Sequence, residues 1–257
     1  RGEDVRVTCL SVAVCDDSVL NRDSPFFLKW KKYPLSILMM RKILKLQKEF
    51  MKEFTGKENI LWDFDGVIID SHVVREQGFR EVLAEFPKEE IEELLVFHRK
   101  NGGLSRYVKF RYFFEKIRKE KISETQVNDW SSQFSDIMRM KLIDKANLIP
   151  ETMAFIHDQN EQFNMHIISG SDGEELRFLC NSLGLTDYFK SIEGSPEPKI
   201  NLVKNLLEKY SYLPEQCILI GDSINDFEAA SASDIAFLGY NNPDLENIGE
   251  GYIRSFS

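Results

Sequence analysis

The sequence predicts an α/β fold: a Rossmann-like parallel sheet with helices on both faces, with an all-helical segment inserted after the first strand. Three observations carry this reading. NILWDFDGVIID, from Asn59, is a short apolar run that ends in acids and glycine, the pattern of a buried strand meeting a loop. Residues 71–149 are almost wholly helical in pattern. After Pro150, strands and helices alternate, which implies parallel strands joined by crossover helices.

The elements follow in order. Val5, Val7, Cys9, Val12 and Val14 alternate weakly, as a short strand or hairpin does. Leu35 to Phe54 is amphipathic, with Ile37, Met40, Ile43, Leu44, Phe50, Met51 and Phe54 set between Lys45, Lys48 and Lys52. The expectation is a helix packed on the rest of the chain with its lysines in solvent; a membrane-surface or partner helix is the other reading of the same spacing. The insertion, broken at Pro87, at Asn101-Gly102-Gly103 and at Ser123-Glu124, reads as about four helices. Then come a strand at FNMHIIS, a helix at DGEELRFLCNSLG, a short strand at SIEG, a helix at PKINLVKNLLEKY, a strand at CILIGD, a helix at INDFEAASAS and a strand at DIAFLGY. The domain division expected is 1–57 as an N-terminal extension, 58–70 plus 150–257 as the core, and 71–149 as the inserted helical unit.

Composition narrows the function class. The chain has 257 residues and a net charge of −9, which disfavours general nucleic-acid binding. The charge is unevenly spread. Residues 1–57 hold 12 basic and 7 acidic groups, 71–149 hold 15 and 13, and the remainder holds 6 and 22. No apolar run reaches the roughly 18 residues of a membrane span. Cys9, Cys15, Cys180 and Cys217 form no CxxC pair, so a reducing, cytoplasmic setting without structural disulfides is expected. RGEDVRV has no apolar signal segment, and its lack of an initiator Met points to a processed or truncated start.

In a parallel sheet, ligands collect at the carboxyl ends of the strands. The polar residues there are Asp63 and Asp65 after the first strand, Ser169 in IISGSD, and Asp222 in LIGDSIND with Asp226 four residues on; Lys199 starts a helix. Carboxylates converging on one rim need a cation, and oxygen-only ligands favour a hard ion such as Mg²⁺. Lys199 and the Ser169 hydroxyl supply contacts to an anion. Together they suit phosphoryl transfer, with one carboxylate attacking phosphorus and the other moving the proton. Gly66 lets the backbone turn beneath the phosphate.

This ordered set closely resembles the haloacid dehalogenase superfamily over about 200 residues, from Asn59 to the C-terminus. The resemblance implies Asp63 as nucleophile and Asp65 as acid/base in DFDGV, Ser169 and Gly170 of HIISGS at the phosphoryl group, and Lys199 as its neutralising cation. It implies Mg²⁺ held by the Asp63 carboxylate, the Asp65 main-chain carbonyl and Asp222 of GDSIND, with Asp226 a ligand or its support. The second Asp of the DxD pair is what phosphatases and phosphomutases of the superfamily have and dehalogenases lack. In this chain Pro198 precedes Lys199, whereas the family commonly has Lys-Pro.

The insertion resembles the mobile cap of the phosphoglycolate phosphatase and β-phosphoglucomutase branch. Residues 99–121 carry nine basic groups against Glu115 and Glu120; most read as a solvated face paired with neighbouring acids. GLSR at the Gly102–Gly103 turn resembles the cap loop that contacts a substrate's distal group, which gives Arg106 and Lys109 as candidates for a second anion. Phosphomutases of this branch usually carry a His where Arg75 stands, so hydrolysis is favoured over mutase transfer. The expectation is a Mg²⁺-dependent phosphatase acting on a small phosphorylated metabolite such as a sugar phosphate, through an aspartyl-phosphate. A phosphomutase is the alternative, and an idle module that holds a partner through the basic N-terminal helix is the reading from another class.

Overall fold

The computed structural model describes residues 50–256. The expected N-terminal strand, nearly all of the Leu35–Phe54 helix, Cys9 and Cys15 lie outside the described residues. Where the described chain begins, Met51–Phe54 is a 3-10 turn and not a continuing α-helix, with Phe54 buried. The Phe54 ring lies 5.3 Å from Phe155 and 5.7 Å from Phe163, so this end of the segment packs on the core.

The sheet contains β1 (Asn59–Trp62), β2 (Asn164–Asp172), β3 (Ser191–Ser195), β4 (Cys217–Gly221), β5 (Ala236–Tyr240) and β6 (Gly251–Ile253). The order is β3-β2-β1-β4-β5-β6, and every neighbouring pair is parallel. The short β6, three residues that begin at Gly251, was not read from the sequence. β1 is hydrogen-bonded on both sides and buried throughout, which is why it reads as an unbroken apolar run. Its side chains still alternate: Ile60 and Trp62 face one apolar cluster and Leu61 the other.

Between β1 and β2 the chain forms α1 (His72–Val82), α2 (Lys88–Lys100), α3 (Arg106–Tyr112) and α4 (Glu124–Lys141), with a π-helical turn at Phe113–Ile117 continuing α3. These are the helices expected of the insertion. Ser123 and Gln126 form a capping box at the start of α4, fixing its first turn. Phe79, Phe110 and Phe134 fill the interior, with the Phe79 and Phe134 rings 4.4 Å apart. The segments leading into and out of the insertion lie side by side. The Asp70 amide donates to the Asn147 carbonyl at 2.8 Å, the Ile149 amide to the Ile68 carbonyl at 2.9 Å, and Ile69 bridges Leu148.

The helices α5 (Pro150–Gln159) and α6 (Gly173–Leu183) cover the Ile60/Trp62 face through Phe155, Ile156, Leu176, Leu179 and Cys180. The opposite face is covered by α7 (Lys199–Tyr210) and α8 (Ile224–Ser231) through Leu202, Val203, Leu206, Ala229 and Ala230. The α/β architecture with helices on both faces and a helical insertion after the first strand is therefore present. Cys180 and Cys217 are free and buried. Among the described residues, no helix is long and apolar enough to cross a membrane.

Candidate active site

The strand order reverses at β1, between β2 and β4, and the carboxyl ends of β1 and β4 open on one crevice. Asp63 follows β1 directly. Its amide still donates to the Ile220 carbonyl of β4 at 2.9 Å, so the sheet fixes the backbone that presents the carboxylate. Asp222 follows β4 in the same way, and Asp63, Asp222 and Asp226 are all buried.

Lys199 joins two of these acids. Its ammonium is 2.9 Å from Asp63 Oδ1 and also contacts Asp226 Oδ1. The residue order Pro198-Lys199 still delivers the charge, because Pro198 is the N-cap and Lys199 the first residue of α7. Asp226 spends its other oxygen on Ser223, accepting the backbone amide at 3.0 Å and the hydroxyl at 2.6 Å. Asp226 therefore stands as a support for Lys199, while Asp63 and Asp222 keep oxygens for other partners.

The electrostatics are those of a crowded anionic rim. Burial, and then the Asp226 charge, push the Asp63 carboxyl well above the usual carboxylate range, with Lys199 opposing. Burial likewise raises Asp222, against a hydrogen bond from His72, whose Nε2 lies 3.0 Å from Asp222 Oδ2. Burial would lower Lys199, but the charges of Asp226 and Asp63 outweigh it and hold the ammonium protonated. Asp63, Asp222 and Asp226 each place one oxygen within 4.8 Å of the others. Buried hard donors in excess of their one lysine are a fitting donor set for a hard divalent cation.

Asp65 turns away from this group. Its Oδ1 accepts from Arg75 Nε at 2.5 Å and from the Ser71 hydroxyl, and its Oδ2 from the Ser171 hydroxyl at 2.5 Å. Burial acts to raise its pKa, yet the Arg75 charge and these hydrogen bonds outweigh it and hold the carboxyl below the usual range. Gly66 follows with φ +73, and a Cβ there would lie 2.0 Å from Asp222 Oδ2. Glycine is thus required twice, for the left-handed turn and for the approach of Asp222.

One cavity is lined by Asp63, Asp65 and Ser169 from the core and by Arg75, Arg106 and Lys109 from the insertion. Ser169 is buried and its Oγ accepts the Ser171 amide at 3.1 Å. It does not cap α6; Asp172 does, accepting the Glu174 and Glu175 amides at 3.1 and 3.0 Å. Gly170 meets the insertion so closely that a Cβ would lie 2.2 Å from the Gly103 carbonyl oxygen. The GLSR turn is therefore seated on the HIISGS loop. Arg106, buried, donates to Ser135 at 2.7 Å and to Glu175. Lys109 donates to the Gly102 carbonyl at 2.9 Å; burial, and then the Arg75 charge, lower its pKa to about 7. Three other basic residues of this stretch pair with neighbouring acids: Arg99 with Glu76 at 2.7 Å, Arg111 with Glu115 at 3.8 Å and Arg118 with Glu90 at 2.5 Å.

The bonds that Ser71, Arg75, Ser171 and Glu175 make around Asp65 were not read from the sequence, where Arg75 entered only as the residue at a phosphomutase His position. A signal for two of them was present. Arg75 shares the helical face of Gly78, Phe79 and Val82, and Glu175 that of Leu179 and Leu183. A charge on the apolar stripe of a helix announces a buried partner.

Comparison with known proteins agrees with this geometry. The family model described as haloacid dehalogenase-like hydrolase matches residues 60–240. The phosphoglycolate phosphatase of Colwellia psychrerythraea is 22% identical over 189 residues, covering 71% of this chain and 84% of that protein. The β-phosphoglucomutase of Clostridium difficile superposes with a TM-score of 0.62 at 18% identity, covering 78% of this chain and 92% of that one. YfnB of Bacillus subtilis, solved bound to magnesium and with interdomain movement, superposes at 0.59 with 17% identity, covering 77% and 95%.

Proposed function

This chain belongs to the haloacid dehalogenase-like hydrolase family, and we propose that it is a Mg²⁺-dependent phosphatase acting on a small phosphorylated metabolite, a sugar phosphate among the candidates. The observation that carries this reading is the placement of Lys199 against Asp63, which lines one cavity together with Asp65 and Ser169. Asp63 attacks phosphorus, the ester P–O bond breaks, and Asp65, held ionised by Arg75, takes up the proton of the monoprotonated phosphate ester and passes it to the leaving oxygen. Water, giving its proton to Asp65, then attacks the aspartyl-phosphate, releasing phosphate and restoring Asp63. Lys199 and Ser169 hold the phosphoryl oxygens through these steps.

Mg²⁺ would be held by the Asp63 and Asp222 carboxylates and the Asp65 main-chain carbonyl, with Asp226 fixing Lys199 beside it. When bound it neutralises phosphoryl charge and offsets the repulsion among the buried acids. EDTA is therefore expected to abolish phosphate release and added Mg²⁺ to restore it; full turnover in chelator would exclude this metal site.

Residues 71–149 would act as a cap that closes over the substrate and excludes water, with 58–70 and 150–257 as the catalytic core and 1–57 as an extension. The seating of Gly103 on Gly170 supports this division. Arg75, bound to Asp65, supports hydrolysis over mutase transfer. A cytoplasmic setting is supported by the free thiols of Cys180 and Cys217. In the cap, Arg106 and Lys109 would recognise a second substrate group. Arg106→Ala is expected to raise KM for the true substrate more than for an aryl phosphate; equal effects would remove Arg106 from recognition. A screen of phosphorylated metabolites with phosphate release as readout tests the whole reading, and isomer formation without free phosphate would replace it with a phosphomutase.

A further inference from the structure

Glu175 is fully buried on α6, yet it accepts hydrogen bonds from two guanidinium groups. Arg75 Nη1 reaches Oε1 at 3.2 Å, and Arg106 Nη1 reaches Oε2. The two arginines come from different helices of the insertion, α1 and α3, and are 7% and 4% exposed. Arg75 also gives its Nε to Asp65 at 2.5 Å, and Arg106 adds Ser135 at 2.7 Å. One terminal nitrogen of each is left over. Arg75 Nη2 and Arg106 Nη2 are buried without a hydrogen-bond partner among the described residues. Both arginines line the cavity that Asp63 and Ser169 face, with Lys109 beside them.

Buried guanidinium donors are ordinarily satisfied. Two orphaned donors on neighbouring cations, in the wall of a substrate cavity, call for an acceptor that the protein does not supply. A second anionic group on the substrate answers this geometry.

Resting on the phosphatase reading, we propose that Arg75 is a specificity-determining residue and Glu175 its positioning residue. Glu175 sets Arg75 beside Arg106 as a paired receptor for a second anion, so the substrate is a phosphate ester that also carries a carboxylate or a second phosphoryl group. Arg75 thereby ties the receptor to Asp65, the group that moves the proton. Glu175 touches no substrate and acts only through the two guanidinium groups.

Matched substrates test this. Phosphoglycolate is compared with 2-hydroxyethyl phosphate, and propane-1,3-diol bisphosphate with 3-hydroxypropyl phosphate, so that carboxylate and phosphoryl are read in separate arms. The wild type is expected to prefer the doubly anionic member of at least one pair by about tenfold or more in kcat/KM, the order of one charge-assisted contact. Arg75→Gln and Glu175→Gln are expected to bring that ratio to within about twofold of one, with Glu175→Asp retaining part of it. A general loss of structure lowers both members of a pair and leaves their ratio unmoved. Arg75→Lys keeps the buried charge and lacks the second terminal nitrogen, and its ratio is expected to fall as well should Arg75→Gln not fold. Equal wild-type rates within both pairs overturn the proposal while leaving the phosphatase reading intact. So does a preference that survives Arg75→Gln or Arg75→Lys together with Glu175→Gln. Failure to hydrolyse any of these esters, or an aryl phosphate, in Mg²⁺ overturns the phosphatase reading and this proposal with it.

Discussion

Asp63→Asn is expected to lower phosphate release by at least about 10³-fold while leaving the metal-free protein as stable as the wild type or more so. The loss follows from chemistry: a carboxamide cannot form the aspartyl-phosphate, and removal of a nucleophile typically costs that much or more in kcat. The stability follows from the rim. Asp63 is buried beside Asp226 and Asp222, and its carboxyl is pushed up, first by burial and then by Asp226. A carboxylic acid whose folded pKa is raised costs stability once the unfolded chain ionises, above about pH 4. The cost grows with pH until the folded group ionises too. Asparagine removes it, and Lys199 keeps Asp226 as a partner. Thermal melting in EDTA at pH 7 is expected to place the variant at or above the wild type. Added Mg²⁺ is expected to raise the wild-type melting temperature more than the variant's, because binding to the folded state alone is stabilising. Undiminished turnover of an aryl phosphate would refute the catalytic reading and favour an idle binding module.

Lys199→Ala is expected to lose both activity and stability. Lys199 is 7% exposed and is the ammonium between Asp63 and Asp226. Removing one partner of a buried charge cluster leaves uncompensated charge and costs about 3–5 kcal/mol. Removing the cation that faces the phosphoryl oxygens is expected to cost about 10²–10³ in kcat, as other electrostatic stabilisers do. Placing Asp226→Asn in the Lys199→Ala background is expected to recover part of the stability and none of the activity, since one unpaired acid is gone and the missing ammonium is not replaced. Chemical denaturation and single-turnover kinetics separate the two effects. A Lys199→Ala protein as stable as the wild type would mean that Asp63 and Asp226 do not depend on this lysine.

The core of the site was legible because its chemistry sits next to its scaffold in the chain. Asp63 adjoins β1, Asp222 adjoins β4, Ser169 lies in β2 and Lys199 begins α7. Each is tied to an element whose periodicity is local, so naming the strand names the residue at its end. The GLSR turn was legible in the same way, between two helices marked by Gly102 and Gly103. The Asp65 clamp was not. Arg75 and Glu175 are 100 positions apart and meet only after the insertion has folded onto α6. Their presence on apolar helical stripes shows that each has a buried partner, but not which one. Ser71 and Ser171 gave no signal, since a serine at a helix start or near the end of a strand is ordinary, and their bonds to Asp65 exist only in three dimensions. β6, at three residues of which the first is a glycine, is too short for an alternating pattern to register.

The paired segments at Ile68–Asp70 and Asn147–Ile149 have a consequence for how this scaffold is inherited. Their bridge at Ile69 and Leu148 puts the two ends of the insertion within one strand spacing of each other. A tight turn of a few residues would span that gap as well as the helices do. The strands before and after the insertion thus keep their path independently of the helices between them. Asp65 does not share that independence: Ser71 and Arg75, which hold its carboxylate, belong to the inserted stretch, so exchanging residues 71–146 would leave the sheet in place and strip the partners from the one rim acid that leans on the insertion.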